Sequence, residues 1–373
     1  MLKKKSMIFL LIILVTSVFN VTIFLNSVIY DSTIENVIDD PIDLYDLRLS
    51  GPEINITTPE NKLYINPMSG YYPGTYSFDD AIIGQTAPGW IDNDNDGEVI
   101  AELGGHKKVY EIIDNSPSNA GDITQTWDST QTYGTVEGWL RVTNTTESTY
   151  FYLRDGTENI CKLHINDGYF KYKDDTGTYI IAGAPLPQIN TWYHIRFDFR
   201  GSYGSTYQGL TNQYTYKIFI DGVSYGPFNY YLNNNLVEFR VHTGFSEDSV
   251  TIFWDAISYS WDPNYNIGDN EDEGLLLSFD IGFIPDWLGY SLDGQNTRNI
   301  LGNSTFPYPL INGTHTIQVF GNNSIGTLYQ SDIRYFYIGE MPTDQPGIPG
   351  FNVILMISVI SIVSVILIKK KFK

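Results

Sequence analysis

Between residues 50 and 340, the regular stretches of this chain alternate apolar and polar side chains with a period of two. The clearest are residues 193–199, 216–220 and 236–242, where Tyr, Ile, Phe or Val recurs at every second position. This period is typical of strands that bury one face against a core. No convincing helical period occurs in this range, so the sequence predicts an all-β fold of antiparallel sandwiches. Dipeptides that favour tight hairpin turns separate the stretches: Asp96-Gly97, Asp167-Gly168, Thr176-Gly177, Asp221-Gly222 and Asp293-Gly294.

At both ends the pattern changes to long apolar runs beside lysines. Lys3 to Lys5 precede the apolar residues 7–18, the layout of a secretory signal or an uncleaved signal anchor within residues 1–28. Residues 351–368 form 18 positions without a charge. As a helix they span about 27 Å, enough for the core of a bilayer. The basic tail 369–373 favours the cytoplasmic side. We therefore expect a cell-membrane protein with an extracellular polar part, raised on a proline-containing stalk at residues 341–350.

The net charge excludes some classes of binding partner, and the single cysteine has a structural interpretation. Seven of the 22 Lys and Arg residues lie in the terminal segments, so the region between carries 15 basic and 43 acidic side chains, a net charge of −28. Such a surface argues against nucleic acid and anionic lipid as partners. The only cysteine, Cys161, lies in an alternating stretch and is expected to be a small buried residue.

Six landmarks follow one another in the larger β region: residues 76–80, 88–90, 134–140, 190–195, 216–223 and 253–257. In this order and spacing they resemble the laminin-G-like, concanavalin A-like jelly roll. The resemblance covers residues 73–262 and implies a two-sheet sandwich.

The smaller β region, residues 270–340, contains two motifs at 287–294 and 312–319. They resemble an immunoglobulin-like repeat of prokaryotic surface proteins. The usual opening strand is missing just before them, and residues 52–66 resemble it instead. We therefore expect the jelly roll to be inserted into the immunoglobulin-like module. Residues 263–273 are expected to be a short polar linker.

The C-terminal Pro349-Gly350-Phe351 resembles an archaeal sorting signal ahead of its membrane run. The resemblance implies that an enzyme removes the segment and attaches a lipid. A permanent membrane anchor is the open alternative.

Two groups of carboxylates are candidate sites for structural Ca²⁺. Asp92, Asp94 and Asp96 match the first half of an EF-hand loop, although Leu103 occupies the twelfth position. The alternative is an acidic hairpin turn.

The second group follows from the jelly-roll resemblance, which implies a Ca²⁺ ion between the opening and closing strands. The matching residues are Asp79 or Asp80, with Asp255. Because Asp255 interrupts an apolar run, its carboxylate needs compensation, which a metal can supply. The alternative is an aspartate at a strand end that faces water.

Aromatic and amide side chains in two loops have the composition of a sugar-binding surface. The predicted binding residues are Tyr203, Tyr207, Tyr214, Tyr230 and Tyr231. Five sequons are predicted glycan acceptors: Asn55, Asn144, Asn303, Asn312 and Asn322.

Catalysis finds little support in the sequence, and we expect no enzyme. The paired carboxylates of a jelly-roll glycosidase are missing, and the five histidines are scattered. His194 and His242 fall on the polar faces of strands, where solvated side chains are expected. The predicted function is adhesion to a glycan or to another surface protein. Two alternatives remain: a structural component of the cell envelope, and a polysaccharide lyase or glycoside hydrolase.

Overall fold

The protein is described by a computed structural model over residues 53–115, 120–244 and 249–339. The predicted signal segment, the stalk, the apolar run 351–368 and the basic tail lie outside these residues. Within the described ranges there is no helix with the length and apolarity that a membrane crossing requires. The regular elements here are all strands, which confirms the all-β prediction.

In chain order the strands are β1 (Ile54–Thr58), β2 (Leu63–Tyr64), β3 (Ile91–Asp92), β4 (Gly97–Leu103), β5 (His106–Asp114), β6 (Asp122–Gln131), β7 (Tyr133–Val142), β8 (Thr149–Arg154), β9 (Asn159–Asn166), β10 (Tyr169–Lys173), β11 (Thr178–Ile180), β12 (Tyr193–Arg200), β13 (Thr215–Ile220), β14 (Val223–Asn229), β15 (Leu236–Thr243), β16 (Val250–Tyr259), β17 (Leu275–Ile281), β18 (Trp287–Leu292), β19 (Arg298–Ile300), β20 (Ser304–Phe306), β21 (Gly313–Asn322), β22 (Leu328–Gln330) and β23 (Arg334–Ile338).

Two seven-stranded antiparallel sheets form a large, jelly-roll-like sandwich. Sheet 1 has the order β11-β10-β9-β8-β15-β6-β3, and sheet 2 has the order β14-β13-β12-β7-β16-β5-β4. Strands that are distant in the chain are therefore neighbours: β8 lies between β9 and β15, and β7 lies between β12 and β16. This long-range pairing decides which outward-facing side chains meet.

The alternation of apolar residues explains the core between the two sheets. On β12, Tyr193, Ile195, Phe197 and Phe199 are all buried in that core. A fully buried side chain such as Phe197 stabilises the fold by about 1.5–3 kcal/mol relative to the exposed state. The strands predicted at 193–199, 216–220 and 236–242 are confirmed as β12, β13 and β15.

Two of the predicted Asp-Gly turns show why aspartate and glycine are needed there. Asp167 and Gly168 connect β9 to β10 with φ values of 53° and 75°. Asp221 and Gly222 connect β13 to β14 with φ values of 47° and 77°. Positive φ at both central positions matches the right-handed twist of the paired strands, and glycine adopts it without a steric penalty.

A small sandwich takes strands from both sides of the large one. β1 pairs with β17, and β2 pairs in parallel with β23. These strands share a second hydrophobic core, which includes Ile54, Leu277, Phe306 and Phe336. The chain therefore starts the small sandwich, forms the large one and then returns, which is the order that an insertion requires.

The segment at 263–273 is more than the polar linker that the sequence predicts. Asn270 in this segment is 0% exposed, and its backbone carbonyl accepts a hydrogen bond from Trp139 Nε1 at 2.6 Å. Its side-chain amide donates to Ala256 O at 2.7 Å. The segment is thus folded onto the outer face of sheet 2.

Candidate functional site

The five tyrosines predicted to bind sugar do not form one surface. Tyr203 stacks on Tyr133 with 3.9 Å between ring centroids, and Tyr207 lies 5.0 Å from the same ring. Tyr230 is 1% exposed and belongs to the core, with Tyr214 packed against it at 6.0 Å. The prediction is therefore wrong for Tyr230, because a ring inside the core cannot reach a ligand.

Tyr231, the fifth tyrosine, lies beside the outer face of sheet 1. The ammonium of Lys173, on β10, lies 3.4 Å from the centroid of its ring. Lys173 in turn is close enough to Lys162 on β9 for its charge to lower the pKa of that lysine.

The outer face of sheet 1 brings together polar and aromatic side chains from three adjacent strands. Tyr150 and Tyr152 come from β8, Lys162 and His164 from β9, and His242 from β15. We call these five residues the Tyr–His face. Their neighbours in sequence, such as Phe151, Leu163 and Val241, are in the core, so alternation turns the five outward. The register places Tyr150 directly between His164 and His242.

Three rings of this face form a stacked row. Tyr150 lies 5.4 Å from Tyr152 with an angle of 12° between the ring planes, and 4.2 Å from His164 with an angle of 25°. Stacked rings hold one another in fixed orientations. The phenol hydroxyls and imidazole nitrogens at their edges are therefore positioned before any ligand arrives.

The imidazole of His164 is the most unusual group of the row. It is 7% exposed, and neither of its ring nitrogens has a hydrogen-bond partner. Burial, together with Lys162 and Lys171 nearby, lowers the pKa of His164 to about 3, so the ring is neutral at pH 7. A neutral imidazole offers one donor and one acceptor. Each unsatisfied buried group costs about 1–3 kcal/mol. Protein atoms cover both nitrogens, so a ligand hydroxyl recovers this cost only when a side chain of the face moves aside.

Lys162 brings a positive charge to the same face. Its ammonium lies 4.2 Å from the centroid of Tyr150 and 5.7 Å from that of Tyr152. Among the described residues, no carboxylate lies within ion-pair distance of it. Burial and the charges of Lys173 and Lys171 lower the pKa of Lys162 to about 8, so the side chain is still mainly protonated at pH 7.

Two ion pairs border the Tyr–His face. Arg240 donates to Asp122 through Nε at 2.7 Å and also through Nη2, and Arg154 pairs with Glu238. All four residues lie on strands of sheet 1. Paired in this way, the two guanidinium groups are held in place as planar donors beside the row of rings.

The carboxylate of Asp255 is compensated by a histidine. Asp255 is 1% exposed; its Oδ2 lies 2.8 Å from His106 Nδ1, and its Oδ1 accepts from Ala256 N at 2.7 Å. The alternative that it faces water is therefore wrong. Burial raises the pKa of Asp255 above its usual range and lowers that of His106 to about 4. Calcium here stays a prediction, but the burial of Asp255 no longer requires it.

The two partners predicted for Asp255 differ in environment. Asp79 is buried and accepts from Thr305 Oγ1 of the small sandwich at 2.7 Å. Burial raises the pKa of Asp79 to about 7. Asp80 is less buried and lines a cavity of about 240 Å³ between the two sandwiches. Asp79 therefore joins the sandwiches through a hydrogen bond.

In the acidic loop, the carboxylate of Asp92 caps a turn. Its two oxygens accept from Asp96 N at 3.2 Å and from Gly97 N at 2.8 Å. Burial and neighbouring carboxylates raise the pKa of Asp94 and of Asp96. The contacts are those of an acidic hairpin turn, and calcium binding by the loop stays a prediction.

The five sequons differ in the exposure of their asparagines. Asn55 and Asn312 are exposed. Asn144 and Asn303 are half-buried, and their side-chain oxygens accept backbone hydrogen bonds from Thr146 and Phe279. The side-chain oxygen of Asn322 is buried. Asn55 and Asn312 are thus the most accessible glycan acceptors of the five.

The sequence analysis missed the functional potential of two histidines and one buried glutamate. His194 and His242 are 4% and 5% exposed, so the prediction that they are solvated is wrong. His242 lies within the Tyr–His face, and His194 lies under the 263–273 segment beside Glu137. Glu137, His194 and Glu271 place one ligand atom each within 4.8 Å of the others. Their positions on strand faces were visible in the sequence, but the strand order was not.

The prediction that Cys161 is buried is confirmed. Its side chain is 0% exposed, and burial raises the pKa of the thiol.

Comparisons with known proteins give only weak likenesses. No family model and no curated protein matches the sequence. Among solved structures, a galectin from Caenorhabditis elegans is 13% identical, with a TM-score of 0.26 over 40% of this chain and 95% of its own. A GH16 enzyme of Bacteroides ovatus is 13% identical, with a TM-score of 0.33 over 49% and 98%. The laminarinase of Rhodothermus marinus is 8% identical, with a TM-score of 0.27 over 52% and 94%. Scores below 0.5 do not establish a shared fold.

Proposed function

We propose that this protein binds glycans through the Tyr–His face on the outer side of sheet 1. The single observation that supports the proposal most is His164, a neutral imidazole with two nitrogens that lack a hydrogen-bond partner. Both nitrogens are covered by protein atoms, so the proposal includes a side chain of the face that moves aside when a sugar binds. Sugars present dense arrays of hydroxyls, and each hydroxyl can donate and accept. A rigid row of ring edges loses little conformational entropy on binding them.

The charge of the face favours acidic glycans. Five basic side chains lie on sheet 1, although the chain as a whole has a net charge of −21: Lys162, Lys171, Lys173, Arg154 and Arg240. Three of them form ion pairs with carboxylates, so Lys162 and Lys173 are the cations of this set without an ion-pair partner among the described residues. An ammonium without an ion-pair partner is a favourable position for a uronate carboxylate or a sulfate ester. The proposed ligand is therefore a polysaccharide that carries such groups.

We further propose that the protein is displayed at the cell surface. The support is the sequence alone: the apolar run at 351–368 with its basic tail, and the N-terminal signal pattern. In this arrangement the small sandwich, which we propose to be immunoglobulin-like, and the stalk hold the large sandwich away from the bilayer.

The test is a glycan array probed with the purified full chain and four variants. His164→Phe keeps a stacking ring and removes both nitrogens, so we expect it to weaken binding by about tenfold or more, as for a lost hydrogen bond of about 1.4 kcal/mol. Lys162→Met keeps the side-chain volume and is expected to abolish the preference for acidic glycans.

The control variant is Tyr335→Phe, which removes a hydroxyl from a 47% exposed tyrosine on the small sandwich. It should bind as the wild type does. Binding that survives His164→Phe and Lys162→Met but is lost in Tyr203→Ala would place the site on the loops and overturn the proposal.

A further inference from the structure

On the other sheet, the 263–273 segment covers a glutamate and a histidine. Glu137 on β7 is paired in register with Arg196, and His194 on β12 is paired with Trp139. Glu137 and His194 are therefore diagonal neighbours on the outer face of sheet 2. Both are buried, at 2% and 4% exposure.

Hydrogen bonds fix the covering segment over these two side chains. Tyr265 Oη and Gly268 N donate to Glu137 Oε1 at 2.8 and 2.7 Å. Asn270 Oδ1 lies 2.8 Å from His194 Nε2. One oxygen of Glu137 thus accepts two hydrogen bonds. Together with the contact between Asn270 and His194, these bonds hold the segment in place above the sheet.

The second oxygen of Glu137 is in a different situation. Oε2 has no hydrogen-bond partner, although the side chain is 0% exposed, and it lies 3.9 Å from His194 Nε2. The carboxylate of Glu271, which is exposed, completes a group whose ligand atoms all lie within 4.8 Å of one another. Two carboxylates this close, one of them buried, repel each other unless a positive charge lies between them.

We propose that Glu137, His194 and Glu271 bind one divalent transition-metal ion, with zinc as the best fit. One imidazole nitrogen and two carboxylates form a donor set typical of zinc, whereas calcium and magnesium prefer oxygen donors alone. The ion binds Glu137 through Oε2 and His194 through Nε2, which gives up its hydrogen bond to Asn270. Asn270 Oδ1, which lies 2.8 Å from Nε2, is available as a further oxygen donor.

The position of the site indicates a structural role. Glu271 lies on the covering segment, whereas Glu137 and His194 lie on sheet 2, so the ion fastens the segment to the sandwich. Because Glu271 is exposed, the ion can enter from solvent.

The test uses the purified full chain after a chelator has removed bound metal. Zinc chloride, manganese chloride and calcium chloride are each titrated into it in a separate calorimetric experiment. We expect one equivalent of zinc to bind, more tightly than calcium, and the melting temperature to rise with zinc. Glu271→Gln should weaken zinc binding by at least about tenfold. The side chain of Glu271 makes no hydrogen bond to a described residue, so this variant should fold.

Asp272→Asn is the matched control, because it removes one negative charge from the next, also exposed, residue. It should keep the zinc affinity of the wild type. The absence of a zinc equivalent, equal losses in Glu271→Gln and Asp272→Asn, or tighter binding of calcium than of zinc would each overturn the proposal. If the wild-type protein binds glycan but no zinc, the zinc proposal is overturned and the proposed glycan-binding function stands.

Discussion

Replacing His164 by phenylalanine should change how stability depends on pH. The ordinary histidine pKa of 6.5 applies in the unfolded chain, whereas burial beside Lys162 and Lys171 lowers the folded value to about 3. A lowered folded pKa means that the unfolded state takes up the proton first. The contribution to stability is therefore complete above pH 6.5 and is lost as the pH falls towards 3.

The size of this loss follows from the two pKa values. Between pH 8 and pH 5 the unfolded histidine becomes almost fully protonated, while the folded one stays neutral. The unfolded pKa of 6.5 lies roughly 1.5 pH units above pH 5, which corresponds to a loss of about 2 kcal/mol in the free energy of unfolding. Because His164 is 7% exposed, solvent screening does not reduce this value much.

Urea unfolding of the full chain and of His164→Phe, at pH 8, 7, 6 and 5, measures the effect. The wild type should lose about 2 kcal/mol more than the variant over this range, with equal m-values for the two proteins. Other titrating groups, such as Asp79 and His106, are common to both proteins and cancel in the difference. Parallel pH profiles would refute the conclusion that His164 is buried and neutral.

Three further predictions concern the fold. Tyr230→Ala should destabilise the protein by about 3–5 kcal/mol in urea unfolding, because the ring fills the core, and a cost below about 1 kcal/mol would show that it does not. Gly222→Ala, at a φ of 77°, should cost about 1–2 kcal/mol of unfolding free energy in the same assay. Gly204→Ala should cost less, because Gly204 has no positive φ and has open space around it. Equal costs for the two variants would count against the turn geometry. Thr305→Val removes the hydroxyl that donates to buried Asp79 and should cost about 1–3 kcal/mol, so a neutral variant would argue against that bond.

Local patterns were sufficient to predict strands such as β12, β13 and β15. The alternation on β12 and the Asp167-Gly168 and Asp221-Gly222 turns depend on neighbouring residues, and a single sequence displays them directly. The buried state of Cys161 followed from the same alternation. The same patterns explain why the described residues, 53–115, 120–244 and 249–339, contain strands and no helix.

The candidate sites depend on strand order, which local patterns do not contain. Lys162 and His242 share one face because β8 lies between β9 and β15. Alternation with core residues predicts a solvated His194, but the 263–273 segment folds over it. Tyr230 was assigned to a loop surface from composition alone, and composition does not distinguish a ring in the core from one in solvent.

The most direct test of glycan binding is a crystal structure of the protein with an acidic oligosaccharide selected from the array. The proposal predicts that the sugar contacts the nitrogens of His164 and that its carboxylate or sulfate lies within hydrogen-bonding distance of Lys162 Nζ. A sugar seated instead on the loop around Tyr203 and Tyr207, with the Tyr–His face unchanged, would contradict it.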